Sequence, residues 1–114
     1  MSFPIQVTFR NLDKSDSLDE YTRKKADKLS MYSEKIARCR VTLEAPHRHS
    51  THGTHYSVRI SMTIPGHEIV VNSHASIDKS SEDLYATIDA AFEDAATALS
   101  RALQRQKAFD HDAR

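Results

Sequence analysis

Four histidines and two arginines crowd into one short segment, residues 47–59. The histidines are His47, His49, His52 and His55, and the arginines are Arg48 and Arg59. Neutral imidazole binds zinc, copper and nickel, so the segment could hold a metal, although structural zinc sites usually add cysteines or a second element. It could instead contact phosphates or stack on bases, becoming more cationic as the pH falls toward the imidazole pKa of about 6.5. A third interpretation is a solvated hairpin tip that only keeps a loop soluble.

A second set of basic side chains is divided between two predicted helices. It consists of Lys24, Lys25 and Lys28 in the first helix and Arg101, Arg105 and Lys107 in the last. If the helices lie side by side, these residues form a surface that could follow phosphates, but they would also be ordinary on solvated helix faces. The chain has 16 lysines and arginines and 16 aspartates and glutamates, so its total charge does not favour nucleic acid. Residues 1–60 nevertheless hold 11 basic and 7 acidic residues, against 5 and 9 in residues 61–114.

The sequence offers little for catalysis. It has two glycines, too few for a glycine-rich phosphate loop, and no paired-cysteine motif or evident nucleophile beside a base. The single cysteine, Cys39, alternates with Val41 and Leu43, which predicts a buried thiol. We therefore predict a protein that is not an enzyme, with no cofactor and no small-molecule substrate. Since one cysteine forms no internal disulfide, and no secretory segment or 18-residue apolar run is present, we also predict a cytoplasmic protein without a membrane partner.

Alternation of apolar and polar residues predicts four strands, each with one buried face. They cover about residues 3–9, 36–45, 56–64 and 67–75, and Pro65-Gly66 supplies the turn between the last two. In the second strand we expect Ala37, Cys39, Val41 and Leu43 to face the core.

Apolar residues at three- and four-residue steps predict two helices. Ser15 and Ser17 are equally good N-cap candidates for the first, and Ser80 or Ser81 for the second. The second helix carries the longer apolar stripe, which ends at Leu103. Its first half is acidic and its end is basic, an order that suits the helix dipole.

These elements predict an α+β fold of order β-α-β-β-β-α, with two helices packed on one face of a four-stranded sheet. The first two strands should be parallel and joined by a right-handed crossover. The length suits one domain, residues 1–108, and the lack of periodicity after it predicts a frayed tail over residues 109–114.

Several residue runs carry a resemblance. They are LDEY and KKADKL within residues 18–29, EDLYATID at residues 82–89, and EAPHRH at residues 44–49 with IPGHEIVVN at residues 64–72. Over about residues 3–107 the chain resembles the ribosome hibernation promoting factor and ribosome-associated inhibitor family, and the hairpin looks like a histidine-rich branch of it.

The resemblance implies a short family member that docks on the small ribosomal subunit, in the channel used by messenger and transfer RNA, and blocks translation in resting or stressed cells. Family members contact ribosomal RNA through basic side chains on both helices, and Lys25, Lys28, Arg101 and Arg105 stand at such positions. The predicted RNA-binding set consists of these four with Lys24, Lys107, Arg48 and Arg59, and the hairpin histidines form an accessory surface.

The chain also departs from the family pattern. Asp94 and Thr97 stand where the family commonly has lysine or arginine, and Met31 replaces another basic residue. Fewer phosphate contacts would lower the affinity and its salt dependence, and the histidine hairpin is the best candidate for compensating contacts. The alternative is a divergent member that has left the ribosome and works as an interaction or metal-responsive module through this hairpin and the open sheet face. Homo-oligomerisation stays open.

Overall fold

A computed structural model describes the backbone of residues 3–45, 55–76 and 82–112, and the side chains of residues 3–45, 56–73 and 84–105. The elements are β1 (Ile5–Arg10), α1 (Asp16–Lys28), a 3-10 turn (Leu29–Met31), β2 (Arg38–Glu44), β3 (His55–Ile64), β4 (His67–Ser76) and α2 (Glu82–Asp112). This order confirms the predicted β-α-β-β-β-α arrangement.

The four strands form one sheet in the order β1-β2-β3-β4. β1 and β2 are parallel, as predicted, and the other two pairs are antiparallel. The register aligns Val7, Val41, Ile60 and Val71 across the sheet, which places apolar side chains of all four strands on one face. The helices must therefore cover this face.

The apolar face of the sheet packs against both helices. The α2 stripe contributes Leu84, Ile88, Ala91, Phe92, Ala95, Leu99 and Ala102, all buried, and α1 contributes Leu18 and Ala26. Val41, Leu43, Val58, Ile60, Met62 and Ile64 meet them from the central strands. Full burial of a large aliphatic side chain stabilises a fold by roughly 1.5–3 kcal/mol, so this cluster is the main favourable contribution. The α+β architecture follows from it.

The start of the second strand differs from the prediction. β2 begins at Arg38, and Ala37, which we expected in the core, is exposed, while Ile36 is buried. Ile36 and Cys39 are both buried although they are three residues apart, which a strand of period two does not allow. Ile36 therefore reaches the core from the connection before the strand.

Ser15 is the N-cap of α1, which decides between the two serine candidates. Its hydroxyl accepts a hydrogen bond from the Leu18 amide at 3.3 Å, and its backbone is extended, as N-cap residues usually are. Farther along α1, Arg23 pairs with Asp19 at 2.6 Å and donates to the Ile5 carbonyl at 2.8 Å. This guanidinium ties α1 to the edge strand β1.

The helix α2 is longer than its apolar stripe indicated. Its backbone is helical as far as Asp112, four residues beyond the predicted boundary at residue 108. Residues 104–112 contain neither glycine nor proline, so nothing in this stretch stops the helix. The fraying expected for residues 109–114 stays a prediction, and the N-cap candidates Ser80 and Ser81 lie outside the described residues.

Thr22 provides a test of the helix–sheet packing. It is fully buried, and its hydroxyl has no hydrogen-bond partner among the residues that the structure describes. Because an unsatisfied buried polar group costs roughly 1–3 kcal/mol, Thr22→Val should raise the free energy of unfolding by about 1 kcal/mol. Urea denaturation measures this change.

The control for that measurement is Ser15→Ala, which removes the N-cap and should lower the free energy of unfolding by about 1 kcal/mol. A Thr22→Val variant that is less stable than the parent protein would mean that the hydroxyl has a partner in solution.

Candidate nucleic-acid interface

A polar cluster joins α1 to α2. The Tyr21 hydroxyl donates to Asp89 Oδ1 at 2.5 Å, and Lys25 Nζ lies 3.0 Å from the same oxygen. The Tyr21 ring meets Tyr85 edge-on, with centroids 4.9 Å apart and an interplanar angle of 81°, and Lys25 Nζ lies 5.5 Å from the Tyr21 centroid. Tyr21, Lys25 and Asp89 thus each contact the other two, which fixes the two helices relative to each other at this point.

Electrostatics within this cluster follow from the shared carboxylate. The hydrogen bond to Asp89 raises the pKa of Tyr21 and also that of Lys25. Burial, the largest single influence on Asp89, would raise its pKa, but the hydrogen bonds from Tyr21 and Lys25 and the lysine charge together lower it. At neutral pH the carboxylate is therefore ionised and the lysine is protonated.

This pairing changes what Lys25 can offer to a ligand. Its side chain is 31% exposed, and its charge is already compensated by Asp89. Lys24 and Lys28, by contrast, are exposed, and neither forms an ion pair within the described residues. Since residues three and four apart share one side of a helix, Lys25, Lys28 and Tyr32 follow one another along the side of α1 and its 3-10 turn.

Beyond Lys28, the residue that follows the 3-10 turn and the middle of α2 border an open cavity of about 480 Å³. Tyr32 stands on one side, and Thr97, Ser100, Arg101 and Gln104 of α2 stand on the other. Tyr32 is 56% exposed and its neighbour Met31 is 83% exposed, so an aromatic and a thioether side chain face solvent here. Asp89 and Arg101 are 12 residues apart on α2, or about 18 Å at 1.5 Å per residue. We call the strip from the Tyr21–Asp89 contact to this cavity the helix groove.

The rest of the predicted helix set starts at the helix groove with Arg101 and continues toward the end of α2. Arg101 and Arg105 are exposed and lie one turn apart on α2, and neither forms an ion pair within the described residues. Asp94 is also exposed, about two turns before Arg101 on the same side of the helix. Lys107 lies in the helical backbone, but its side chain is outside the described part. The carboxylate of Asp94 thus adjoins the cationic end of α2.

Arg59 does not join the lysines of α1. It lies on the sheet face opposite the helices, where Arg10 and Arg40 border the same open cavity of about 400 Å³. Sequence reasoning missed Arg10 and Arg40 as members of a site. The alternation of the strands could have revealed these two arginines. Both occupy polar positions of the outer sheet face, as Arg59 does. The parallel pairing of β1 with β2 places both on this face, Arg40 level with Gln6 and Arg10 level with Glu44.

Most of the histidine-rich segment lies outside the described residues, namely His47, Arg48, His49, His52 and the side chain of His55. Its metal-binding and RNA-binding interpretations both stay predictions. Within the described residues, no group of three or more histidine, cysteine, aspartate or glutamate side chains could hold a metal ion. Cys39 is buried, and burial raises the pKa of its thiol to about 12. A thiol of this pKa is a poor nucleophile at neutral pH, as the sequence predicted.

Comparison with known proteins identifies the family. Residues 5–107 match the description "Sigma 54 modulation protein / S30EA ribosomal protein". The chain belongs to this family. No curated protein matches the chain at a significant level.

The chain also resembles solved structures. The N-terminal domain of Thermus thermophilus Protein Y is 25% identical, with a TM-score of 0.65 over 89% of this chain and 98% of that one. A ribosomal subunit interface protein from Coxiella burnetii is 22% identical, with a TM-score of 0.64 over 93% of this chain and 99% of that one. The second likeness supports the fold alone.

Membership in the S30EA family confirms the family resemblance found in the sequence. Its members are ribosome-associated modulation factors and not enzymes, which supports the predicted class of protein. Within the described residues, no helix is long and apolar enough to cross a membrane.

Asp89→Asn tests the polar cluster. The pKa of Tyr21 should fall toward its ordinary value of 10.0, because the strongest acceptor of its hydroxyl loses its charge. The loss of stability at neutral pH should be less than about 1 kcal/mol, since solvent screens the half-exposed pair. Tyrosinate absorbance, with Tyr21→Phe to assign the signal, and urea denaturation measure the two effects.

The pH dependence of that stability difference has a defined sign. The pKa of Asp89 is lower in the folded state than its ordinary value of 3.8, so its contribution is present above that value and is lost as the pH falls through the folded-state pKa. The difference between the parent protein and Asp89→Asn should shrink in this acidic range. Asp94→Asn removes the same charge from an exposed position on α2 and should leave the Tyr21 pKa unchanged; an equal shift in both variants would contradict the cluster.

Proposed function

We propose that this protein is a cytoplasmic ribosome-associated translation inhibitor, a hibernation factor that binds ribosomal RNA of the small subunit in the channel of messenger and transfer RNA. The observation that carries the proposal is the helix groove, which presents exposed Lys28 and Arg101 beside an exposed tyrosine on two helices held rigidly together. Membership in a ribosome-associated family supports the same assignment.

The chemistry of the helix groove suits RNA. Lysine and arginine neutralise phosphates, and Arg101 can also bind two phosphate oxygens with its planar guanidinium. An exposed tyrosine such as Tyr32 offers a surface on which an unpaired base can stack, while Ser100 and Gln104 supply hydrogen-bonding groups at the cavity. These parts together would recognise a folded RNA by its backbone and by a splayed base.

Lys25 has a different role in this proposal. The Asp89 carboxylate already holds its ammonium group, so Lys25 contributes less than a free cation to phosphate binding. In return, Lys25 compensates the Asp89 charge, and Tyr21 donates a hydrogen bond to this carboxylate, which would otherwise repel RNA from the centre of the helix groove. Glu93 and Asp94 form no ion pair with any described residue, and their exposed carboxylates should make binding weaker than for a uniformly basic helix.

Inhibition then follows from occupancy. A rigid domain bound in the RNA channel of the small subunit would exclude messenger and transfer RNA without any chemical step. Binding that depends on phosphate neutralisation would be strongest at low salt and reversible when competing ligands accumulate. Both properties suit a factor that stores ribosomes in resting or stressed cells.

Lys28→Glu combined with Arg101→Glu tests the proposal. The double variant should lose co-sedimentation with small subunits in a sucrose gradient at low salt, because two phosphate contacts become repulsive. Replacement by glutamine instead should lower the salt slope of log Kobs by about 1.4–1.8, at 0.7–0.9 per lost contact. Inhibition of in vitro translation should fall in parallel.

The charge-matched control is Lys14→Glu combined with Arg38→Glu, at exposed positions outside the helix groove. This variant should sediment with the subunit as the parent protein does. A parent protein that stays at the top of the gradient at low salt would refute the proposal, and normal binding by the Lys28/Arg101 variant would exclude the helix groove as the contact.

A further inference from the structure

We propose that the open face of the sheet is a second RNA-binding surface, separate from the helix groove, in which Arg10, Arg40 and Arg59 bind phosphates. We call it the arginine face. It goes beyond the proposed function, because it requires only RNA and not the ribosome.

The arginine face has a regular geometry set by strand pairing. Arg40 on β2 lies opposite Gln6 on β1 and Ser61 on β3, and Arg59 on β3 lies opposite Thr42 on β2. Arg10 on β1 lies opposite Glu44. Since neighbouring strands are about 4.8 Å apart, the three arginines occupy three adjacent strands within about 10 Å across the sheet. Along the strands they stand level with residues 40, 42 and 44 of β2, a span of about 13 Å at about 3.3 Å per residue, with Arg59 between the other two. They are therefore close enough to act on one segment of ligand.

These arginines are available to a ligand. All three are exposed and border the cavity of about 400 Å³. None forms an ion pair or side-chain hydrogen bond among the residues that the structure describes, whereas Arg38, outside the cavity, donates to Thr63 at 3.3 Å and Arg23 is paired with Asp19. Three guanidinium groups at one concavity, without a partner among the described side chains, favour an anionic ligand.

The neighbouring side chains favour RNA over an acidic peptide. Glu44 and Glu68 border the same cavity and would repel a run of carboxylates, but they can accept hydrogen bonds from ribose 2′-hydroxyls or base amino groups. Glu68 already accepts a bond from Ser61 at 2.6 Å, which leaves Glu44 as the freer acceptor. The described part of this face has one exposed large apolar residue, Val70, and no aromatic one, so it lacks the aromatic anchors that many protein interfaces use beside arginine.

The arginine face lies on the side of the sheet opposite the core that the helices cover. A ligand there would not compete with one in the helix groove, so one molecule of the protein could hold two RNA segments at the same time. The protein would then connect two RNA segments as well as block the RNA channel of the small subunit.

The test uses fluorescence anisotropy of a short labelled single-stranded RNA in the Lys28→Glu/Arg101→Glu background, which disables the helix groove. Adding Arg10→Gln, Arg40→Gln and Arg59→Gln should weaken the residual binding at least about tenfold and lower the salt slope by about 2, since each contact with a single strand contributes about 0.7. The matched control, with Lys14→Gln, Lys35→Gln and Arg38→Gln, removes the same charge from exposed positions outside the cavity and should change the affinity less than about twofold. Equal losses in the two triple variants would overturn the proposal.

Glu44→Gln distinguishes RNA from other anions. The parent arginine face should prefer RNA to DNA of the same sequence, and Glu44→Gln should reduce this preference, because glutamine is a weaker acceptor for a 2′-hydroxyl. An equal gain in affinity for RNA and DNA would overturn the RNA assignment, as would displacement of the RNA by poly-glutamate at equal charge concentration. Because these measurements contain no ribosome, a failure of ribosome co-sedimentation leaves them unaffected.

Discussion

Packing of the α2 stripe against the sheet is the constraint on which the rest of this structure depends. A four-stranded sheet has two faces, and the apolar side chains of α2 and α1 bury only one of them. The other face must then be polar and solvent-facing, and the outer sides of the helices must be polar as well. The protein consequently has two ligand-accessible surfaces, one on each side of its core. The charge of each surface is set by the polar residues that lie outside the core.

The two surfaces differ in how their positions are fixed. On the sheet, backbone pairing sets the spacing of Arg10, Arg40 and Arg59, so the arrangement needs no side-chain contact to hold it. The helices lack a shared hydrogen-bond ladder, and their relative position depends on side chains. The Tyr21–Asp89 hydrogen bond, with Lys25 and Tyr85 around it, supplies that restraint outside the apolar core. A residue that looks like a ligand-binding cation in the sequence therefore serves partly to set the geometry of the groove.

Much of the fold could be predicted from the sequence because each element has a clear period. The alternation in β3 and the long stripe of α2 left little choice, and the helix between β1 and β2 required those two strands to be parallel. The error arose where the period is broken, because Ile36 and Ala37 precede the regular part of β2. The end of α2 was harder to place, because no residue after Leu103 stops a helix.

The candidate site was less predictable because it depends on contacts between residues distant in sequence. Lysine content alone did not reveal that Lys25 pairs with an aspartate 64 positions later, and Arg59 was grouped with the hairpin because they are neighbours in the chain. The order of the strands determines which residues lie near Arg59. Only this order assigns Arg59 to the same surface as Arg10 and Arg40.

The chain's zero net charge is compatible with RNA binding once its charges are assigned to surfaces. Electrostatic attraction of a polyanion depends on the local potential, which over about 10 Å at ordinary ionic strength reflects only nearby groups. Asp89 is compensated by Lys25, and Asp19 by Arg23, so these two of the 16 acidic residues contribute little to that potential. Among the described residues, Lys28 and Arg101 on the helices and three arginines on the sheet have no such partner, and these cations determine what an approaching phosphate meets. Specificity in this protein therefore depends on which charges are neutralised internally rather than on an excess of one sign.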